Sequence, residues 1–146
     1  MRYLFAAVLV SLALSPATTL ARPPQAGSPG QPCRVRKIYV AELGQSDEAE
    51  RFRRELRRQL TRKRFTPAAR AGEAEAVLAG KFSFTGSDRD GQLVFDPAEL
   101  RDGGGALLWH SSFYFTRRKR GPSLLSGGNI KDAAGKVAAN LRGACK

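Results

Sequence analysis

The sequence is poor in the side chains that most often bind metals or act in acid–base catalysis. Its 146 residues include one histidine and two cysteines. Neither Cys33 nor Cys145 has a cysteine, histidine or acidic residue at ligand spacing, which argues against a metal-binding or reactive thiol. Gly-x-Ser-x-Gly, His-Glu-x-x-His and Walker-type motifs are also missing. We therefore expect no metal, no cofactor and no enzymatic activity.

The few residues that resemble parts of catalytic or binding motifs have simpler interpretations. His110 falls in a predicted strand without a carboxylate marked to orient it, so we interpret it as a surface or half-buried sheet residue. The glycines at 103–105 join two predicted strands and therefore lack the helix N-terminal amides that hold phosphate. Asp88 and Asp90 are interpreted as turn residues, because the twelve-residue calcium-loop pattern is missing.

The only long apolar run, residues 4–14, follows a positive start at Arg2. With about 11 residues it is shorter than the roughly 20 that a membrane-spanning helix needs. The run and the small residues after it predict a signal peptide over residues 1–21, cut after Ala21 or, as the alternative, after Ala17. Because no cysteine follows the run directly, we expect an exported protein without a lipid anchor, either periplasmic or secreted.

Residues 22–32 hold four prolines and two glycines and almost nothing apolar. Such a segment cannot offset its own ordering entropy, so we expect a flexible linker. Residues 33–146 have the size of a single domain. In an oxidising compartment Cys33 and Cys145 can pair and join the two ends of that domain. Such a bridge is worth up to about 4 to 5 kcal/mol in the chain-entropy model.

The hydrophobic pattern of the domain predicts strand, helix, three strands, helix. The first strand is a nearly continuous apolar run, and the later strands alternate apolar and polar residues. Ser46 and Asn129 are the expected N-caps of the two helices. Pro97 favours an edge position or a bulge in its strand. The predicted strands are residues 35–43, 76–85, 92–102 and 106–116, and the predicted helices run from 47 to 64 and from 129 onward.

Two apolar faces are expected to form the core. The first helix has Ala49, Phe52, Leu56 and Leu60 on one stripe. The last strand has Leu107, Trp109, Phe113 and Phe115 on one face, with Leu108, His110, Ser112 and Tyr114 on the other. Aromatic residues on a face of period two are typical of a core, and a ligand pocket is the alternative.

These elements predict an α+β fold, a two-layer sandwich in which a mostly antiparallel four-stranded sheet carries two helices on one face. Cys145 lies four residues after Leu141, on the apolar stripe of the last helix. If that helix packs on the sheet against the first strand, it carries Cys145 to the place where Cys33 enters that strand.

Two strand entries support a family resemblance: Glu75-Ala76-Val77-Leu78-Ala79-Gly80 and Gly105-Ala106-Leu107-Leu108-Trp109. Together with the order of elements, they resemble small periplasmic domains of Gram-negative envelope assembly proteins. These are the lipopolysaccharide-assembly, curli-secretion and peptidoglycan-synthase-activator lipoproteins. The resemblance implies a non-enzymatic accessory domain that binds an envelope partner, although the chain departs from those families in its missing lipid anchor.

Charge is the second informative feature. The formal net charge is +12, and it becomes +11 once Arg2 leaves with the signal peptide. An excess of this size favours anionic partners. The candidate polyanion-binding residues form one cluster on the first helix and one in the last loop: Arg51, Arg54, Arg57, Arg58, Arg62, Arg117, Arg118, Lys119 and Arg120. The alternative is a solvated surface produced by an arginine-rich composition, since arginine outnumbers lysine 18 to 7.

Leu124 and Leu125 are apolar residues in the basic loop and belong to no periodic element. They are candidates for contact with a partner or a lipid interface, and the alternative is that they fold back over the sheet edge. The sequence as a whole predicts a non-enzymatic exported binding domain, an accessory in cell-envelope assembly or transport with an envelope protein as partner. The second hypothesis is a binder of lipopolysaccharide or another phosphate-rich polyanion; nucleic acid is not expected because the protein is exported.

Overall fold

The structure is a computed structural model that describes residues 33–86, 91–116 and 127–145. The predicted signal peptide and linker, residues 1–32, lie outside this part of the chain. None of the described helices is both long enough and apolar enough to cross a membrane.

The described residues form an α+β fold with a five-stranded mixed sheet and two α-helices. The elements are β1 (Lys37–Val40), α1 (Asp47–Arg62), β2 (Thr66–Pro67), β3 (Ala76–Thr85), β4 (Gln92–Asp102), β5 (Leu107–Thr116) and α2 (Gly127–Ala144). A single 3₁₀ turn, Ala71–Glu73, precedes β3. The strand order is β2-β1-β3-β4-β5, in which β1 is parallel to β2 and β3 while β3, β4 and β5 are successively antiparallel.

The predicted four-stranded, mostly antiparallel sheet is wrong in strand number and in the pairing of β1. The fifth strand, β2, has only two residues, one of them proline, so it produces no alternation in the sequence. β1 is parallel to β2 and β3 because α1 carries the chain back along the sheet after β1, and parallel neighbours need a crossover of this kind. β1 is also shorter than the predicted 35–43, although Ala41 and Leu43 still hydrogen-bond β3.

The predicted apolar stripe of α1 is confirmed, since Ala49, Phe52, Leu56 and Leu60 are all buried. Phe52 stacks on Phe82 of β3, with 4.2 Å between ring centroids, and meets Phe95 of β4 edge-on at 5.3 Å. The N-cap prediction is also confirmed, because the Ala49 N–H donates to Ser46 Oγ at 3.1 Å. α1 stops at Arg62, before the predicted end, and Arg64 adopts a left-handed φ of 69°.

β4 keeps its inward face across Pro97 by means of a bulge. Leu93 and Phe95 are buried before the proline, and Ala98 and Leu100 are buried after it. The register shifts between Phe95 and Ala98, which confirms the bulge predicted at Pro97. The edge position offered as an alternative is wrong, because β4 lies between β3 and β5.

β5 corrects the predicted assignment of Leu108. Leu107 pairs with Arg101 and Trp109 with Leu100, so one residue of β5 is left over between them. That residue, Leu108, packs against the core and does not share the face of His110. Trp109, Phe113 and Phe115 do contribute to the core, as their period-two spacing predicts. Helix α2 covers them, with the Trp109 indole N–H donating to Asn140 Oδ1 at 3.3 Å.

The start of α2 is a further difference. The helix begins at Gly127, which places Asn129 inside it and not at the predicted N-cap. The apolar stripe itself is confirmed: Ile130, Ala133, Ala134, Val137, Ala138 and Leu141 are buried.

Gly80 allows the close approach of β3 to the β4 bulge. A Cβ at this position would meet the Pro97 carbonyl oxygen and lie 2.5 Å from Cε2 of Phe95. We expect Gly80→Ala to lower the free energy of unfolding by about 1 to 3 kcal/mol, measured by urea denaturation, because the core must shift to admit the methyl group. Gly103→Ala, where a Cβ meets nothing within 4 Å, is the matched control. Equal stability of the two variants would contradict this account.

Candidate binding surfaces

The two cysteines lie together at one end of the domain. Their Sγ atoms are 2.00 Å apart and their Cα atoms 4.3 Å apart, at a sequence separation of 112 residues. Both side chains are buried, and the Cys145 N–H donates to the Leu141 carbonyl at 2.8 Å, which continues the hydrogen bonding of α2. The placement is compatible with the expected disulfide, and it joins the segment that enters β1 to the end of α2.

We expect replacement of both cysteines by serine to lower the free energy of unfolding by up to about 4 to 5 kcal/mol, because the bridge closes nearly the whole domain into one loop. The measurement is the urea midpoint of the oxidised wild type, the reduced wild type and the Cys33→Ser/Cys145→Ser variant. The last two proteins should agree. An oxidised wild type no more stable than the serine variant would rule out a stabilising bridge.

The arginines predicted on α1 form one continuous exposed surface, which we call the helix surface: Arg51, Arg54, Arg57, Arg58 and Arg62. Arg58 pairs with Glu55 at 3.5 Å while its side chain stays 74% exposed, so this pair stabilises little. Within the described residues the other four arginines form no ion pair. The second predicted cluster (Arg117, Arg118, Lys119 and Arg120) lies outside the described residues, as do Leu124 and Leu125.

Arg53 shares the helix with these residues and has a different role. Its Nε donates to the Val40 carbonyl at 3.1 Å, its guanidinium lies 5.9 Å from the centroid of the Tyr39 ring, and it pairs with Glu50 at 3.5 Å. Arg53 therefore fastens α1 to the end of β1 and is less available to a ligand.

The side of the sheet away from the helices carries a polar surface that the sequence analysis did not single out. We call it the open sheet face: Lys81, Val94, Asp96, Glu99, His110, Ser112 and Tyr114. The Asp96 carboxylate accepts hydrogen bonds from Ser112 Oγ at 2.5 Å and from the Tyr114 hydroxyl at 3.1 Å. Tyr114 is 56% exposed, and His110 lies opposite Glu99 in the register. The alternation of β5 predicts the shared face of His110, Ser112 and Tyr114. Asp96 joins this face in regular register, two residues after Val94, which pairs with Tyr114, and the bulge at Pro97 places Glu99 opposite His110.

β5 is an edge strand of ten residues. In the described part of the chain no strand pairs with its outer side, so its outward backbone groups are available for pairing. At the opposite edge, β2 offers only two residues. The long edge therefore adjoins the open sheet face.

These features define a class of protein: a two-layer α+β domain whose mixed sheet is covered by helices on one side. The chain matches no protein-family model and no curated protein. Among solved structures, its fold is similar to that of PelC from Paraburkholderia phytofirmans. A PelC variant dodecamer superposes with a TM-score of 0.58 and 20% identity, over 75% of this chain and 88% of that one. A second PelC dodecamer gives 0.55 and 22%, over 72% and 87%.

Protein XCC0632 from Xanthomonas campestris, described as a DUF330 protein, is also similar. Its TM-score is 0.52 and its identity 11%, over 77% of this chain and 83% of that one. At these identities the likeness concerns the fold alone. The resemblance to the lipopolysaccharide-assembly, curli-secretion and peptidoglycan-synthase-activator lipoproteins stays a prediction.

Proposed function

We propose that this chain is an exported, non-enzymatic binding domain, an accessory in cell-envelope assembly or transport that works as an assembly of several copies. The observation that carries the proposal is the side of the sheet away from the helices, which none of the described elements covers and where the β5 edge adjoins the open sheet face. PelC, which has a similar fold, forms dodecamers, and we extend self-association to this chain on that basis.

The chemistry of the uncovered side supports a protein contact. A ten-residue edge strand can pair with another chain unless something covers it. Tyr114 offers a large exposed ring, and tyrosine is enriched in protein interfaces. Its hydroxyl is already fixed by Asp96, which reduces the entropy lost when the ring is immobilised in a contact.

We expect the oxidised protein to have the mass of several subunits in size-exclusion chromatography with light scattering. Tyr114→Ala should weaken association by about 30-fold or more, the effect of losing a central interface residue. Arg51→Ala, an exposed change on the helix side, is the control and should leave the mass unchanged. A wild type that stays monomeric at every concentration would contradict the proposal, as would a Tyr114→Ala variant that assembles normally.

The second candidate function is binding of lipopolysaccharide or another phosphate-rich polyanion by the helix surface. The supporting observation is that these five arginines project from one helix and only Arg58 has an ion-pair partner among the described residues. A guanidinium can donate two hydrogen bonds to one phosphate, and neighbouring guanidiniums add long-range attraction.

For this second function we expect binding to immobilised lipopolysaccharide to weaken steeply as salt rises, because exposed charges are screened. Arg51→Gln/Arg54→Gln should reduce retention at low salt. The control, Lys81→Gln/Arg101→Gln, removes the same charge from the other side of the sheet. An equal loss in both double variants would show that only net charge matters, and binding that is independent of salt would rule the function out.

A further inference from the structure

We propose that a groove at the disulfide end of the domain binds a phosphate group, borne either by a soluble anion or by a lipid headgroup. The groove has a volume of about 710 Å³ and is lined by Arg34, Val35, Arg36, Arg64, Glu75 and Arg142. We call it the arginine groove. It shares no residue with the helix surface or the open sheet face, and it does not rest on the function proposed above.

The charge of the arginine groove favours an anion with more than one negative charge. Four arginines line it, against a single acidic residue, Glu75. Glu75 Oε2 accepts hydrogen bonds from the backbone N–H groups of Arg36 at 2.6 Å and Lys37 at 3.3 Å. These bonds lower the pKa of Glu75, so the carboxylate stays ionised and is engaged by backbone. Within the described residues, none of the four guanidiniums forms an ion pair.

The four arginines come from three segments far apart in the sequence, and the fold holds the guanidinium of Arg142 in place. Arg34 directly follows Cys33. Arg142 lies three residues before Cys145, and its Nη1 donates a hydrogen bond to the Cys145 carbonyl oxygen at 3.4 Å. The Arg142 guanidinium also lies 5.8 Å from the centroid of the Phe65 ring. The paired cysteines thus bring Arg34 and Arg142 together before any ligand arrives, which lowers the entropic cost of binding.

Arg64 provides an independent indication. It has a left-handed φ of 69° directly after the C-cap of α1, the position where helices usually carry glycine. A non-glycine residue there is strained, and strained residues cluster at binding sites. Arg64 lines the groove, so its side chain offers the phosphate contact that glycine lacks. The planar guanidinium matches the geometry of phosphate oxygens better than an ammonium group does.

The test uses the full-length protein, oxidised and purified after export, with pyrophosphate as the soluble probe and phosphatidic acid vesicles as the lipid probe. Pyrophosphate should shift the NMR side-chain Nε–H signals of Arg34, Arg36, Arg64 and Arg142. The Arg36→Gln/Arg64→Gly variant should bind about tenfold more weakly, and it should fold because glycine accepts the left-handed φ. Glu75→Gln should bind more tightly, because it removes the opposing charge while keeping an acceptor for the backbone.

The matched control is Arg70→Gln/Lys131→Gln, which removes two exposed charges that belong neither to the arginine groove nor to the helix surface and should bind as the wild type does. If vesicles bind and pyrophosphate competes with them, the phosphate is that of a headgroup. If only pyrophosphate binds, the source is a soluble anion. Equal losses in the groove and control variants would overturn the proposal, as would the absence of pyrophosphate binding at low ionic strength.

Discussion

The stacking of Phe52 on Phe82, with the edge of Phe95 against it, fixes α1 on one side of the sheet. The other elements are arranged around this contact. β3 and β4 approach closely where Gly80 leaves room for the Phe95 ring, and α2 then covers the aromatic residues of β5. Because both helices pack on the same side of the sheet, the hydrophobic core lies between that side and the helices. The opposite face of the sheet carries polar residues. One-sided burial is therefore the constraint from which the candidate surfaces follow.

The packing of both helices on one side of the sheet also places different charged residues on different sides of the domain. The arginines of the helix surface lie on the outside of the helix layer, whereas Arg53 turns back to the end of β1. At the disulfide end, the segment that begins at Cys33 meets the end of α2, and four arginines from three segments converge there. The open sheet face carries both signs of charge and an exposed tyrosine instead. The domain thus presents chemically different surfaces on different sides, which suits a protein that works by binding.

The sequence predicted those parts of the fold that have strong periodicity. The stripe of α1, its Ser46 cap and the bounds of β3 and β4 depend on local patterns, and the structure reproduces them. The two-residue β2 has no period to detect, and the extra residue Leu108 reverses the alternation on which its predicted face depended. The arginine groove was missed because its members are separated by as many as 108 positions, and only the fold brings them together.

The central claim is that the side of the sheet away from the helices is the working surface of this domain. Hydrogen–deuterium exchange at increasing protein concentration tests it directly, because it reports protection of backbone amides strand by strand. The account predicts that the amides on the outer side of β5 exchange rapidly in dilute protein and become protected as the concentration rises, while β3 and β4 are protected throughout. Protection of β5 that is the same at every concentration would contradict the account.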